Sequence, residues 1–297
     1  MSHRRAVALM ILVTLLWSTA GVVTRHLDSA RSFEVTFWRS AFNAVALSIA
    51  LTAMRGMALW RGIARAPWPV WASGLCWSVM YTAFMVAITL TSVANVLVTM
   101  SIGPLLTALL ARIVLGHRLA ARTWAAIGVA GIGIAWMFAR EAQVSSPGQL
   151  AGIAVALGVP VAAAINWTLL QHLHHGEGDD SHDMTSAVLI GALISALAVL
   201  PFSLPLQASA HDLGLLALLG VFQLAVPCLI VVHITKVLPG PEIALLGLLE
   251  VVLGVVWAWL GAGEEPSAAT LTGGMLVIGA LIANQALALR SSGVTVA

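Results

Sequence analysis

Residues 68–115 read WPVWASGLCWSVMYTAFMVAITL, then TS, then VANVLVTMSIGPLLTALLARIVL. Arg112 is the one charged side chain in the whole stretch. A helix of about 20 apolar residues, rising 1.5 Å per residue, crosses the ~30 Å hydrocarbon core of a bilayer. Each run is long enough to do so. Thr91 and Ser92 leave room only for a tight reversal, so the two runs predict antiparallel neighbours that span a membrane.

The same pattern extends outward in both directions. The chain has 297 residues, of which 60% are hydrophobic and 9% charged. A soluble domain carries roughly 25% charged residues, and one with so few could not cover its surface. Spans are read at roughly 6–27, 33–54, 68–90, 93–115, 121–139, 148–170, 185–205, 212–236, 240–261 and 269–289. The apolar run at the N-terminus continues past Trp17 to Val23 without a small-residue cleavage site, so it reads as a retained first helix and not a signal peptide. Formal net charge is +2, with no basic patch, which excludes nucleic acid as a partner. Cys76 and Cys228 both lie in apolar runs, so no structural disulfide is indicated.

With the N-terminus inside, ten Lys or Arg residues fall on the cytoplasmic side and four on the other. The expected location is a bacterial-type inner membrane, multi-pass, with both termini cytoplasmic. Trp60, Trp68, Trp71 and Trp124 near one face, and Trp38, Trp257 and Trp259 near the other, suit interfacial belts.

The chain also repeats itself at an offset of 146–147 residues. Arg25-His26-Leu27 falls on Gln171-His172-Leu173, and Gly74 falls on Gly220. Leu115-Gly116-His117-Arg118-Leu119 falls on Ala262-Gly263-Glu264-Glu265-Pro266. The halves are 1–143 and 144–297. Five spans per half is an odd number, so the second copy must enter the bilayer from the opposite side. The expected fold is therefore an all-α polytopic membrane protein, with ten transmembrane helices as two inverted five-helix repeats. Carriers use this plan, with a site near the midplane where the halves meet.

Along nearly its whole length the chain resembles the EamA branch of the drug/metabolite transporter superfamily. The resemblance rests on Leu16-Trp17-Ser18-Thr19, Phe37-Trp38-Arg39-Ser40, Ile102-Gly103-Pro104-Leu105, Leu115-Gly116-His117-Arg118-Leu119, Leu248-Leu249-Glu250-Val251 and Leu260-Gly261-Ala262-Gly263-Glu264-Glu265. Two departures stand out: Gly103-Pro104 and Glu250-Val251 where the family often has Glu-Pro, and Gly116-His117-Arg118 where it has Gly-Glu-Arg. The resemblance implies a ten-helix secondary carrier of amino acids, drugs or related metabolites, commonly an exporter.

Glu250 is the deepest carboxylate. It lies near a seven-residue stripe of Gly240, Gly247, Gly254 and Gly261, a pattern that suits close helix packing. A mid-membrane carboxylate is costly and points to function by default: binding a substrate ammonium or titrating as a coupling proton site. Glu242, just after Pro241, reads instead as a helix-start residue complementing the dipole. Trp77 and Tyr81 share one face at i and i+4, and Trp17 is similarly deep; together they suit the wall of an apolar, aromatic or cationic site. Asn95, Asn166 and Gln223 could hydrogen-bond substrate or merely join helices. Pro104 and Pro227 are candidate hinges. Arg39 and Arg112 are expected to reach the interface from span ends. That would leave no buried cation for a phosphate, so nucleotide sugars and sugar phosphates are disfavoured. The segment His172 to Asp183 is rich in metal-ligand types but irregularly spaced, and reads as a solvated loop. No metal or cofactor is called for.

These features favour a transporter of a small amphiphilic metabolite, amino acids first and those with aromatic or apolar side chains foremost, exported by alternating access. A multidrug or organic-cation efflux carrier is the alternative, and a non-transporting receptor or an intramembrane enzyme stands behind it. Neither H-E-x-x-H nor G-x-S-x-G occurs, and the only lysine, Lys236, sits in no Walker A loop. The partners are a small molecule and the bilayer; monomer and homodimer both stay open.

Overall fold

The structure, a computed structural model, describes every residue but 31, 115, 117–119, 145, 175–184, 235–236, 239 and 294–297. Only the helix backbone is described at 32, 111, 141–144, 170–174, 240–245, 248, 285 and 288–293. The parts of the 172–183 segment and of the 115–119 motif that fall there lie outside what can be compared.

Among the described residues eight helices are long and apolar enough to cross a membrane. They are α1 (His3–Thr24), α2 (Phe33–Arg55), α3 (Trp68–Leu90), α4 (Val93–Val114), α5 (Ala121–Arg140), α6 (Pro147–Leu169), α7 (Thr185–Ser203) and α8 (Ala210–Ile234). Two more apolar helices follow, α9 (Gly240–Ala262) and α10 (Ala268–Gly293). Their apolar stretches among the described residues, Leu249–Ala262 and Ala268–Asn284, are shorter. A short helix, Ala58–Ala64, lies between α2 and α3.

Local sequence explains where the helices start. Ser92 caps α4 by accepting the Asn95 N–H, and capping boxes open α6 (Ser146 with Gln149) and α8 (Ser209 with Asp212). Three helices are interrupted: α1 at Thr19, α4 at Ser101 and Ile102, and α6 at Leu157. Two breaks meet, since a Cβ on Gly103 would lie 3.6 Å from Pro160. Helix α8 carries a π turn, Leu219–Ala225, just before Pro227, as expected where a proline removes a backbone donor. The candidate hinges Pro104 and Pro227 thus lie immediately after local departures from α geometry.

The packing keeps its pattern when the halves are exchanged. α1 packs on α9 as α6 packs on α4; α2 packs on α8 as α3 packs on α7; α1 packs on α8 as α6 packs on α3. The pairs α2–α7, α4–α9 and α5–α10 map onto themselves. The repeated glycines occupy matching positions. A Cβ on Gly74 would sit 2.5 Å from Ile190 of α7, and one on Gly220 would sit 2.6 Å from Phe42 and 2.7 Å from the Arg39 carbonyl of α2. The glycine stripe of α9 is only partly used. Gly254 and Gly261 face Leu97 and Val22 at van der Waals range or closer, whereas a Cβ on Gly247 would meet nothing within 4 Å.

Substituting Gly220→Leu should therefore force α8 off α2 and cost about 1–3 kcal/mol by overpacking. Gly128→Ala, where nothing lies within 4 Å, should cost nothing. Thermal melting in detergent separates the two. Equal melting temperatures would contradict the packing.

Candidate functional site

Helix α2 enters the bundle with an unusual polar face. Thr36, Arg39, Ser40 and Asn43 recur at i, i+3, i+4 and i+7, and all are fully buried or nearly so. Arg39 is 2% exposed, which corrects the expectation that it reaches the interface and removes the ground on which phosphate-bearing cargo was disfavoured. The reason is its neighbours. Gly220 lets the α8 backbone close onto the Arg39 carbonyl, so the side chain lies among helices and cannot run along a lipid-facing surface.

The guanidinium turns to Gln223, whose Oε1 accepts from Nε at 3.2 Å and from Nη2 at 2.7 Å. Gln223 in turn donates through Nε2 to the carbonyl of Trp17, at 3.2 Å. Arg39 Cζ lies 5.6 Å from the centroid of the Phe84 ring. Its Nη1 is buried without a hydrogen-bond partner, and Asn43, one turn on, lies within hydrogen-bonding reach of Tyr81. Nearby, Ser195 of α7 bonds the hydroxyls of Ser40 and Thr82, each at 2.9 Å. The α2, α3, α7 and α8 helices thus share a polar core inside an apolar bundle.

Aromatic groups flank it. Tyr81 meets Cys228 Sγ at 3.6 Å and packs on Trp77, ring centroids 5.6 Å apart. Trp77 also meets Trp167 edge-on at 6.3 Å. On the other side, Glu250 opens onto a cavity of about 160 Å³ lined by Leu97, Met100, Ser101, Pro104, Gly247 and Val251. The break in α4 and the missing Cβ of Gly247 leave that space. Tyr81, Cys228 and Glu250 are the ionisable side chains within electrostatic reach of Arg39, and of these only Glu250 is an acid that can carry a negative charge near neutral pH. A larger hollow of about 300 Å³ lies between α2, the short helix Ala58–Ala64, α3 and Ser186 of α7, but at the bundle edge, away from this chemistry.

One face of the bundle is tied shut across helices. Arg25, at the end of α1, donates through Nε to Glu264 at 2.7 Å and through Nη1 and Nη2 to the carbonyls of Ile88 and Thr91, each at 2.8 Å. The second Glu264 oxygen accepts from the Val93 N–H. Asp212 accepts the backbone N–H groups of Asp28, Ser29 and Ala30, and the Ser29 hydroxyl. Glu34 accepts those of Gln207 and Ala208, each at 2.7 Å. His211 lies 3.1 Å from Asp28; Asp28, His211 and Asp212 are a ligand-type group, but the Asp212 oxygens are already spent on these donors.

Two stretches of the chain, residues 4–139 and 150–284, match the model of the EamA-like transporter family. The chain belongs to that family. Membership makes it a multi-pass membrane transporter of the drug/metabolite type, in a family of carriers and not of enzymes. A solved crystal structure shares the fold at a TM-score of 0.65 and 20% identity, over 97% of this chain and 99% of that one. No curated protein matches the sequence.

Within this EamA fold the predicted residues separate into groups. Gln223 and the Trp17 carbonyl join the Arg39 core, with Tyr81 and Trp77 beside it, and Glu250 stands at the cavity. The Trp17 ring packs away, with the Met10, Val13 and Val231 cluster. Asn95 belongs to the tied face, where it donates to Thr91 and accepts from Thr270. Asn166 accepts from Ser73 at 2.6 Å, and its Nδ2 is left unpartnered. Arg39, Asn43 and Phe84 were missed. The signal was present as a polar i, i+3, i+4, i+7 face inside an apolar span, which in a bilayer must face protein.

Glu264→Ala removes the acceptor of both Arg25 Nε and the Val93 N–H, a loss worth about 1–3 kcal/mol. The expected result is a lower melting temperature and faster labelling of a thiol placed at Leu27, in protein whose own cysteines are replaced by serine. Unchanged labelling and melting would show that these contacts do not hold the face closed.

Proposed function

We propose that the chain is a secondary transporter of ten membrane spans, built as two inverted five-helix halves (1–143 and 144–297), that moves amino acids by alternating access. The favoured cargo has an aromatic or apolar side chain. Export across a bacterial-type inner membrane, with both termini cytoplasmic, is the favoured direction and setting. The unit is a monomer or a homodimer.

The observation that carries this reading is Glu250. A carboxylate halfway along α9 opens onto a cavity where α4 is broken, between the first-half helix α4 and the second-half helix α9. Carboxylates inside a membrane are expensive to keep and pair with cations or move protons. A substrate ammonium fits that position, and the apolar lining of the cavity, Leu97, Met100, Pro104 and Val251, favours an apolar or aromatic side chain. The exchange symmetry of the packing supports inverted halves, because two such halves can rock about a shared centre. The tied face around Arg25 and Glu264, with the cavity lying below it, suits one of the two states of such a cycle: closed on the α1–α2 loop side.

Glu250→Gln keeps the shape and removes the charge. Counterflow of labelled amino acids in proteoliposomes is expected to fall about tenfold or more, the equivalent of one lost charge-assisted contact, or to change its pH dependence. Flux equal to the parent protein from about pH 5 to about pH 8 would remove Glu250 from the mechanism.

A further inference from the structure

A buried guanidinium without a carboxylate is the least settled group in the bundle. Among the described residues no acid lies within ion-pair distance of Arg39; its neighbours are a neutral amide oxygen, an aromatic ring and the more distant charge of Glu250. Burying a cation is costly unless it is paired and hydrogen-bonded. Here one of its donors, Nη1, remains unspent in a side chain that is 2% exposed. Native interiors rarely leave such a charged donor without a partner.

The Gln223 contact indicates what kind of partner is missing. Its single oxygen sits on the Nε and Nη2 edge, the edge a carboxylate grips with two oxygens. The amide thus holds the guanidinium in place while leaving it a full positive charge and a free donor. We infer that Arg39 binds the carboxylate of the substrate, with Glu250 holding the ammonium of the same molecule, so that the carrier is selective for zwitterions over plain organic cations. The inference rests on the transport reading above and narrows its substrate class. Two opposite charges in one central region attract a zwitterion at both ends. An amine lacking the carboxylate meets Glu250 but is repelled by Arg39. Asn43, one turn along α2 and within reach of Tyr81, places a further amide on the same helix face.

Counterflow in proteoliposomes tests this with matched compounds: L-phenylalanine against phenethylamine and L-phenylalaninamide, and L-leucine against isopentylamine. The parent protein should move the amino acids at least about tenfold faster than their carboxylate-free analogues. Gln223→Glu supplies the missing carboxylate from within the protein. It should keep or raise the melting temperature while cutting amino-acid flux about tenfold or more, because the internal ion pair occupies Arg39. Arg39→Gln should narrow the preference for amino acids over amines. If the amines move as fast as the amino acids, or if Gln223→Glu transports normally, Arg39 is a packing residue and the inference falls. If no compound of the panel moves in folded protein, the amino-acid transport reading itself fails.

Discussion

The hydrogen bonds between Arg39 and Gln223 join α2 of the first half to α8 of the second, and the Gln223 amide continues to the end of the first segment of α1. This places a full positive charge in a small polar core inside an apolar bundle, a position tolerated only where several helices supply partners at once. The surrounding construction follows from it. Gly220 admits the backbone of α8 close to α2, the π turn Leu219–Ala225 carries Gln223, and Phe84 covers the far side of the guanidinium. Each element is ordinary by itself. Together they keep a cation in the interior without neutralising it.

Around that centre the two faces of the bundle are built differently. On one, four loop regions are stitched by carboxylates that accept backbone N–H groups: Glu264, Asp212 and Glu34. Such contacts are short-range and numerous, and each joins segments far apart in the chain. Below them helices α1, α4 and α6 are interrupted, and the cavity beside Glu250 sits at the break in α4. A carrier needs two packings of similar energy. Nearly equivalent halves, held shut at one end by polar stitches, are a direct way to have them.

Much of this was legible in the sequence because the bilayer imposes it. Helix lengths, the short Thr91-Ser92 reversal and the repeat between Gly74 and Gly220 follow from spacing alone, and the glycines do occupy equivalent positions. The place of Glu250 midway along α9 likewise follows from spacing. What was not legible depends on which face of a helix meets which neighbour. Arg39 sits near a span end by count, and only the packing of α8 against α2 decides that it turns inward. Gly247 belongs to a regular stripe by spacing, yet it faces a cavity and not a helix. Asn95 looked available, but contacts with Thr91 and with Thr270, far along the chain, already satisfy it. Partners separated by well over a hundred residues leave no local signature.

The central claim is that Arg39 and Glu250 are the two poles of one substrate site. The most direct measurement is an experimental structure of the protein with its best-transported amino acid bound. The account predicts the substrate carboxylate on the free Nη1 side of Arg39, beside Asn43, and the ammonium turned toward Glu250. A bound amino acid whose carboxylate lies elsewhere, with Arg39 still enclosed by Gln223 and Phe84 alone, would contradict it.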